Sequence, residues 1–174
     1  ISNITNKYII CMDLSIITVT YNAQDFIAEQ IRSVIFASGN ISLEEIIVDN
    51  GSSDGTIKLI EKEFSTIRLI KNKENLGFGG ANNQGVKTAR GDFILFLNPD
   101  TRLVGDVALA TSVDWMKKHS EAGIMSCKLV NEAGKLNINE GPRRFPKVLE
   151  QIALILKIHH IFPRILKKYH YQDL

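Results

Sequence analysis

Cysteine is scarce. Cys11 and Cys127 are the two in 174 residues, and neither sits in a CxxC or mixed Cys/His spacing. That pattern excludes a thiolate zinc site and a disulfide framework, and it suits a reducing compartment. No apolar run reaches the about 18 to 20 residues needed to span a bilayer, and no secretory leader is recognisable, so a cytoplasmic location is expected. The phosphate-cradling Gly-x-x-x-x-Gly-Lys-Ser/Thr loop and the Gly-x-Ser-x-Gly nucleophile elbow are both missing, which removes P-loop nucleotidases and serine α/β-hydrolases. Internal repeats and low-complexity linkers are absent too. His119, His159, His160 and His170 do not converge in sequence with any polar cluster, so solvated or packing roles are expected for all four.

Hydrophobic residues at 44% and charged residues at 23% are ordinary globular values, and the length fits one domain with a proper core. The net charge of +2 conceals an asymmetry. From Gly141 onward there are seven Lys/Arg and two Asp/Glu, against 14 and 17 before it. The expected organisation is an N-terminal extension over 1–13, a core over 14–140 and a basic amphipathic helical tail over 141–174. Arg143, Arg144, Lys147, Lys157, Arg164, Lys167 and Lys168 surround the apolar stripe of that tail, which suits either an anionic membrane surface or a partner helix. No nucleic-acid partner is expected.

Strand and helix patterns alternate. Leu14 to Thr20 is dense in β-branched residues and reads as a strand. Phe26, Ile27, Ile31, Val34 and Ile35 then follow helical spacing, closed by Gly39-Asn40. Glu45 to Asp49 is a second strand. The turn Asn50-Gly51-Ser52-Ser53-Asp54-Gly55-Thr56 should start a helix near Ser53 or Asp54, carrying Ile57, Ile60 and Phe64 inward. Ile67 to Ile70 is a short third strand, and Asn75 to Asn82 leads into a helix ending near Ala89. Phe93 to Leu97 reads as a central strand buried on both faces. Val104, Val107, Ala108, Thr111, Trp115 and Met116 predict a further amphipathic helix. Gly123 to Val130 predicts a fifth strand, and Asn131 to Lys135 a turn. The alternation argues for an α/β protein with a doubly wound, mostly parallel sheet.

Three strand ends carry polar clusters, Tyr21-Asn22, Asp49-Asn50 and Asn98-Pro99-Asp100, and in such a sheet they share the carboxyl edge where ligands lie. Asp100 with Asn98 suits Mg²⁺ or Mn²⁺ held beside substrate phosphates, since Mg²⁺ takes only one or two protein carboxylates there. The competing role for Asp100-Thr101 is to cap the next turn. Asp49 can grip a nucleoside hydroxyl or organise its own turn, and Tyr21 can stack on a base or pack at the sheet edge. The stretch Gly77-Phe78-Gly79-Gly80-Ala81-Asn82 superficially matches a dinucleotide fingerprint. It has Asn82 where the third glycine belongs and follows the third strand, so hydride transfer is disfavoured and close backbone approach to a ligand is the better use of Gly79. Tyr21 to Asp25 lacks the glycine-rich basic loop of a nucleotidyltransferase.

In this order, Val19-Thr20-Tyr21-Asn22, Ile47 through Thr56, Glu74 through Asn82 and Leu97-Asn98-Pro99-Asp100-Thr101 resemble glycosyltransferase family 2, of the GT-A fold. Asn-Pro-Asp with Arg143-Arg144-Phe145-Pro146 is similar to its bacterial rhamnosyltransferase-like branch. The resemblance covers about Leu14 to Pro146. It implies a dTDP- or UDP-sugar donor, with Thr20, Tyr21 and Asp49 around the base and nucleoside. It makes Asp100 the metal-binding member of a DxD motif in which Asn98 replaces the first Asp, and it puts Asn75 to Asn82 beside the nucleoside and phosphates. Inverting transfer of a sugar, rhamnose in this branch, to a cell-surface polysaccharide or a lipid-linked acceptor is implied. The family's catalytic base lies in a later Glu-Asp motif, and no Glu-Asp pair occurs here; Glu132, Glu140 and Glu150 have the chemistry without the context. The resemblance therefore implies a donor-binding portion, inactive alone, whose basic tail suits the inner membrane face and whose exposed apolar helix favours self-association. The rival reading is a non-catalytic nucleotide-sugar-binding or interaction module.

Overall fold

The computed structural model describes residues 12–131, 134–135, 148, 151 and 155–156. Strands and helices alternate as β1 (Met12–Thr20), α1 (Ile27–Ala37), β2 (Leu43–Asp49), α2 (Thr56–Glu63), β3 (Arg68–Lys71), α3 (Gly77–Thr88), β4 (Gly91–Phe96) and α4 (Ala108–Lys118). The four strands form one parallel sheet in the order β3-β2-β1-β4. This is the expected α/β architecture. The chain divides into two compact units, Ile1–Ala122 and Gly123–Leu174. The expected extension, the Arg143-Arg144-Phe145-Pro146 motif and most of the basic tail lie outside the described residues.

Both faces of β1 and β2 are buried because helices cover both sides of a parallel sheet. On one face Leu14 and Ile16 pack with Val34, Ala37, Leu97, Leu109 and Val113. Ile47 joins Ala23, Ile27, Ile31 and Ile60 under α1 and α2. On the other face Val19, Ile46 and Val48 meet Ala81 of α3. The close approach of α3 requires a glycine: a Cβ on Gly85 would stand 2.6 Å from Ile17 Cγ2.

Several expectations need correction. The run Phe93 to Leu97 is not buried on both faces. Among the described residues β4 is an edge strand bonded to β1, and its residues alternate between half-buried and exposed. Phe93, Leu95 and Leu97 pack on the core, whereas Ile94 and Phe96 are 41% and 53% exposed. Phe26 and Ile35 are exposed, because the inward stripe of α1 runs through Ile27, Ile31 and Val34. The helix expected at Ser53 or Asp54 begins at Thr56, its buried positions being Thr56 and Ile60. In α4 the buried residues are Leu109 and Val113, while Val104, Val107 and Trp115 are exposed. Residues 123–129 form no strand: Val130 makes an isolated bridge, and Ile124 is exposed. Of the turn expected over Asn131 to Lys135, residues 132 and 133 lie outside the described residues, and the Gly134 N–H donates to the Asn131 carbonyl at 2.8 Å.

Two acids enter the sheet interior through the start of β2. Glu44 accepts from Ser15 Oγ at 2.9 Å, from the Arg90 N–H at 2.7 Å and from Arg90 Nη2 at 2.8 Å. Burial pushes the Glu44 carboxyl upward, but the Arg90 and Ser15 hydrogen bonds outweigh it and hold the group below its ordinary value. Glu45, on the opposite face, accepts from Gln30 Nε2 at 2.9 Å, and burial raises its pKa to about 7.

Candidate functional site

Strands β1 and β2 end level, with Thr20 opposite Asp49, while β4 lies on the far side of β1. The chain moves outward through β1, β2 and β3 and then returns across β1 to β4. That reversal makes the carboxyl edge between β1 and β4 a topological switch point, the position where open α/β sheets bind ligands.

Asp49 is fully buried at this edge. Its Oδ2 accepts from Thr20 Oγ1 at 3.0 Å and from the Ser52 hydroxyl, and its Oδ1 accepts from the Gly51 and Ser52 N–H groups at 3.2 and 2.9 Å. The carboxylate thus organises the turn that follows it. Gly51 has φ +86°, and a Cβ there would stand 3.3 Å from the Glu74 α-carbon, so a side chain would be strained. Asn22 also takes a left-handed conformation, φ +52°, to which Asn is better suited than most residues. From there its Oδ1 accepts the Ser53 N–H at 2.8 Å and its own N–H donates to Ser52 Oγ at 2.8 Å, stitching the exit of β1 to the turn after β2. Tyr21 is left 55% exposed at the edge.

The second half of the site hangs on Asn50, almost fully buried. Its Oδ1 accepts from Asn72 Nδ2 at 3.1 Å and the Leu76 N–H at 3.2 Å, and its Nδ2 donates to Asn75 Oδ1 at 3.0 Å and the Gly77 carbonyl at 3.3 Å. The glycines of the expected loop lie inside α3, which begins at Gly77 with φ +76°. A Cβ on Gly79 would meet nothing within 4 Å, so protein packing does not require glycine there. Asn82 is buried and donates to the Phe78 carbonyl at 3.0 Å within the helix.

At the end of β4, Asn98 and Asp100 are exposed, and the Thr101 N–H closes a turn onto the Asn98 carbonyl at 3.1 Å. Among the described residues no three His, Cys, Asp or Glu side chains cluster as a metal site. The donor set is therefore one accessible carboxylate with a neighbouring amide oxygen. It fits a hard divalent cation that takes its remaining ligands from water and phosphate.

The structure brings Thr20, Asn22, Asp49, Asn50 and Asn75 into one hydrogen-bonded edge. Asn98 and Asp100 stand at the end of β4 without direct contact to that set. Sequence reasoning did not single out Ser52, Asn72 or Gln84. Ser52 was legible as a member of the turn motif, whereas Asn72 and Gln84 carried no local signal.

A family model described as glycosyl transferase family 2 matches residues 15–166. The succinoglycan biosynthesis protein ExoO of Rhizobium meliloti (strain 1021) is 35% identical over 89 residues, 51% of this chain and 25% of ExoO. The Escherichia coli UDP-Glc:alpha-D-GlcNAc-diphosphoundecaprenol beta-1,3-glucosyltransferase WfgD is 39% identical over 88 residues, 50% of this chain and 34% of WfgD. The crystal structure of Staphylococcus aureus TarS 1-349 in complex with UDP-GlcNAc aligns with a TM-score of 0.55 and 27% identity, over 63% of this chain and 32% of that one. The chain spans under half the length of the curated relatives it matches. With the family model covering most of its length and GT-A glycosyltransferases as its structural neighbours, this chain belongs to glycosyltransferase family 2.

Proposed function

We propose that this chain is the donor-binding portion of an inverting glycosyltransferase that uses a UDP- or dTDP-sugar, and that Thr20, Tyr21, Asn22, Asp49, Asn50, Asn75, Gly79, Asn82 and Asn98 line the donor site, with Asp100 at its metal. The observation that carries this reading is the parallel sheet with β4 returned beside β1, so that the exits of β1, β2 and β4 lie next to one another along one carboxyl edge. The TarS complex with UDP-GlcNAc supports a nucleotide sugar as the ligand.

In this reading Tyr21 supplies an exposed ring face for the base. Asp49 takes a nucleoside donor by exchanging one of its two hydroxyl partners, Thr20 or Ser52, whose O–H groups can rotate away; its contacts to backbone N–H groups stay in place. Asn98 and Asp100 would hold Mg²⁺ or Mn²⁺ against the diphosphate. Such an ion, when bound, neutralises the charge that develops on the nucleotide leaving group. Gly79 leaves the backbone of the first turn of α3 open to close approach. An acceptor hydroxyl attacking the anomeric carbon needs a base, and we assign that role to no residue among those described.

The acceptor we propose is a growing polysaccharide or a lipid-linked sugar, in keeping with the polymer named for ExoO and the diphosphoundecaprenol named for WfgD. Rhamnose is the sugar proposed from the Asn98-Pro99-Asp100 motif. Among the described residues no helix is long and apolar enough to cross a membrane. The test is calorimetric titration of the chain with UDP, dTDP and GDP, each with and without Mn²⁺, repeated on Asp100→Asn. Binding of UDP or dTDP that strengthens at least about tenfold with Mn²⁺, and loses that gain in the variant, is expected. Failure of all three nucleotides to bind the folded chain would overturn the proposal.

A further inference from the structure

Asn72 follows β3, and Gln84 lies two turns into α3. Neither belongs to a motif that points to a ligand. Their amides meet head to head: Asn72 Nδ2 donates to Gln84 Oε1 at 2.7 Å, and Gln84 Nε2 donates back to Asn72 Oδ1 at 3.1 Å. The other proton of Asn72 Nδ2 goes to Asn50 Oδ1 at 3.1 Å, and the Asn72 N–H donates to the Asp49 carbonyl at 2.8 Å. Asn72 therefore touches both polar residues at the exit of β2.

The direction of these bonds matters. The Leu76 N–H requires an oxygen on that end of the Asn50 amide, which sets NH₂ on the facing end of Asn72, and Gln84 matches both ends of the Asn72 amide and holds it in that sense. With Asn50 so oriented, its oxygen receives the Leu76 N–H and its NH₂ reaches Asn75 Oδ1 and the Gly77 carbonyl. Asn75 Oδ1 also takes the Gly77 N–H at 2.8 Å. A reversed Asn50 would set its NH₂ against two donors. Every residue from Lys73 to Gly80 is exposed, so apolar burial does little to place this segment and hydrogen bonds must.

We infer that Asn72 and Gln84 are positioning residues for nucleotide binding: through Asn50 they set the path of Asn75 to Phe78 across the carboxyl edge of the sheet. The inference rests on the donor-site reading above. Its distinctive consequence is directional. Gln84→Glu keeps an acceptor for Asn72 Nδ2 but turns a carboxylate oxygen towards Asn72 Oδ1, where a donor stood; protonation of the new carboxyl restores the donor.

The experiment measures UDP affinity by calorimetry, with Mn²⁺ present, for the 174-residue chain and for Asn72→Ala and Gln84→Glu, from about pH 7.5 to about pH 5. Amide exchange at Leu76 and Gly77 is followed by NMR without nucleotide. Asn72→Ala is expected to weaken UDP binding about tenfold and to speed exchange at both amides, with Ile16 and Ile17 in β1 still protected. Gln84→Glu is expected to show both defects at neutral pH and to recover both, relative to wild type, as the pH falls. UDP affinity equal to wild type in both variants would overturn the inference, as would a Gln84→Glu defect that does not change with pH. Where the wild-type chain binds dTDP or GDP and not UDP, that nucleotide is the probe; a wild-type chain that binds none of the three overturns the donor site itself and the inference with it, an outcome recognisable because no variant is needed to see it.

Discussion

Glu45 is 7% exposed, wedged between β2 and α1 with the Thr18 hydroxyl beside it, and its one close partner is the Gln30 amide at 2.9 Å. Removing a carboxylate from water without a counter-charge disfavours ionisation. Burial accordingly raises its pKa from an ordinary 4.5 to about 7 against the smaller opposing effect of the Gln30 hydrogen bond and the nearby Thr18 hydroxyl. Gln30 Oε1 has no hydrogen-bond partner, so a protonated Glu45 brings a donor to a place that lacks one. The sign follows from linkage. The folded state holds this proton more tightly than the unfolded chain, so the contribution to stability is complete below about pH 4.5 and is lost as the pH rises through about 7. A displacement of that size corresponds to about 3 kcal/mol. Glu45→Gln keeps the shape, keeps the acceptor for Gln30 and supplies a permanent donor without a charge. Urea unfolding at intervals from about pH 4.5 to about pH 8 should therefore show the wild type losing about 3 kcal/mol relative to the variant, which becomes the more stable protein at neutral pH. The acids held low, Asp13, Glu44 and Asp54, titrate below this window and cancel in the difference. Parallel pH profiles for the two proteins would refute the reasoning.

Glu44→Gln keeps an amide oxygen for Ser15 Oγ and the Arg90 N–H but turns an NH₂ group, in place of a carboxylate oxygen, towards the Arg90 and Arg68 guanidinium groups. Because both guanidinium groups are more than a third exposed, we expect a loss of about 2 kcal/mol by urea unfolding, below the usual cost of breaking a fully buried pair. Gly91→Ala would place a Cβ 2.4 Å from the Ser15 nitrogen of the neighbouring strand, so a loss of about 3 kcal/mol and a lower thermal midpoint are expected; an unchanged midpoint would show that β4 can move away from β1.

The strands that pair on both sides were legible because their signal is local. Leu14 to Thr20 and Glu45 to Asp49 are dense in β-branched residues, and each ends at a polar cluster, so their type and their exits could be read directly. The turn from Asn50 to Thr56 was legible for the same reason, since Asp, Ser and Gly act through bonds to their own neighbours. Reading failed where burial depended on what else packs nearby. Phe93 to Leu97 has the composition of a central strand, yet α3 sits over β1 and β2 and leaves Ile94 and Phe96 uncovered. In and just before α4 the apolar residues Val107 and Trp115 suggested one face, while the approach of α1 and β1 selected Leu109 and Val113. Asn72 and Gln84 stayed invisible because an amide pair twelve residues apart leaves no periodic trace.

The order of elements from β1 to α4, the family and the polar residues at the strand ends were determined by the sequence alone, because strand propensity, turn residues and ordered motifs act over a few positions. Tertiary structure alone decided which of those residues meet. It seated Asp49 among four protein donors and left Tyr21 and Asp100 open to solvent, and it made Asn50 the hub of the loop after β3. The physical reason is that hydrogen-bond partners and solvent access are properties of the packed chain: each depends on residues brought together by the crossing of the strands, and no local pattern encodes them.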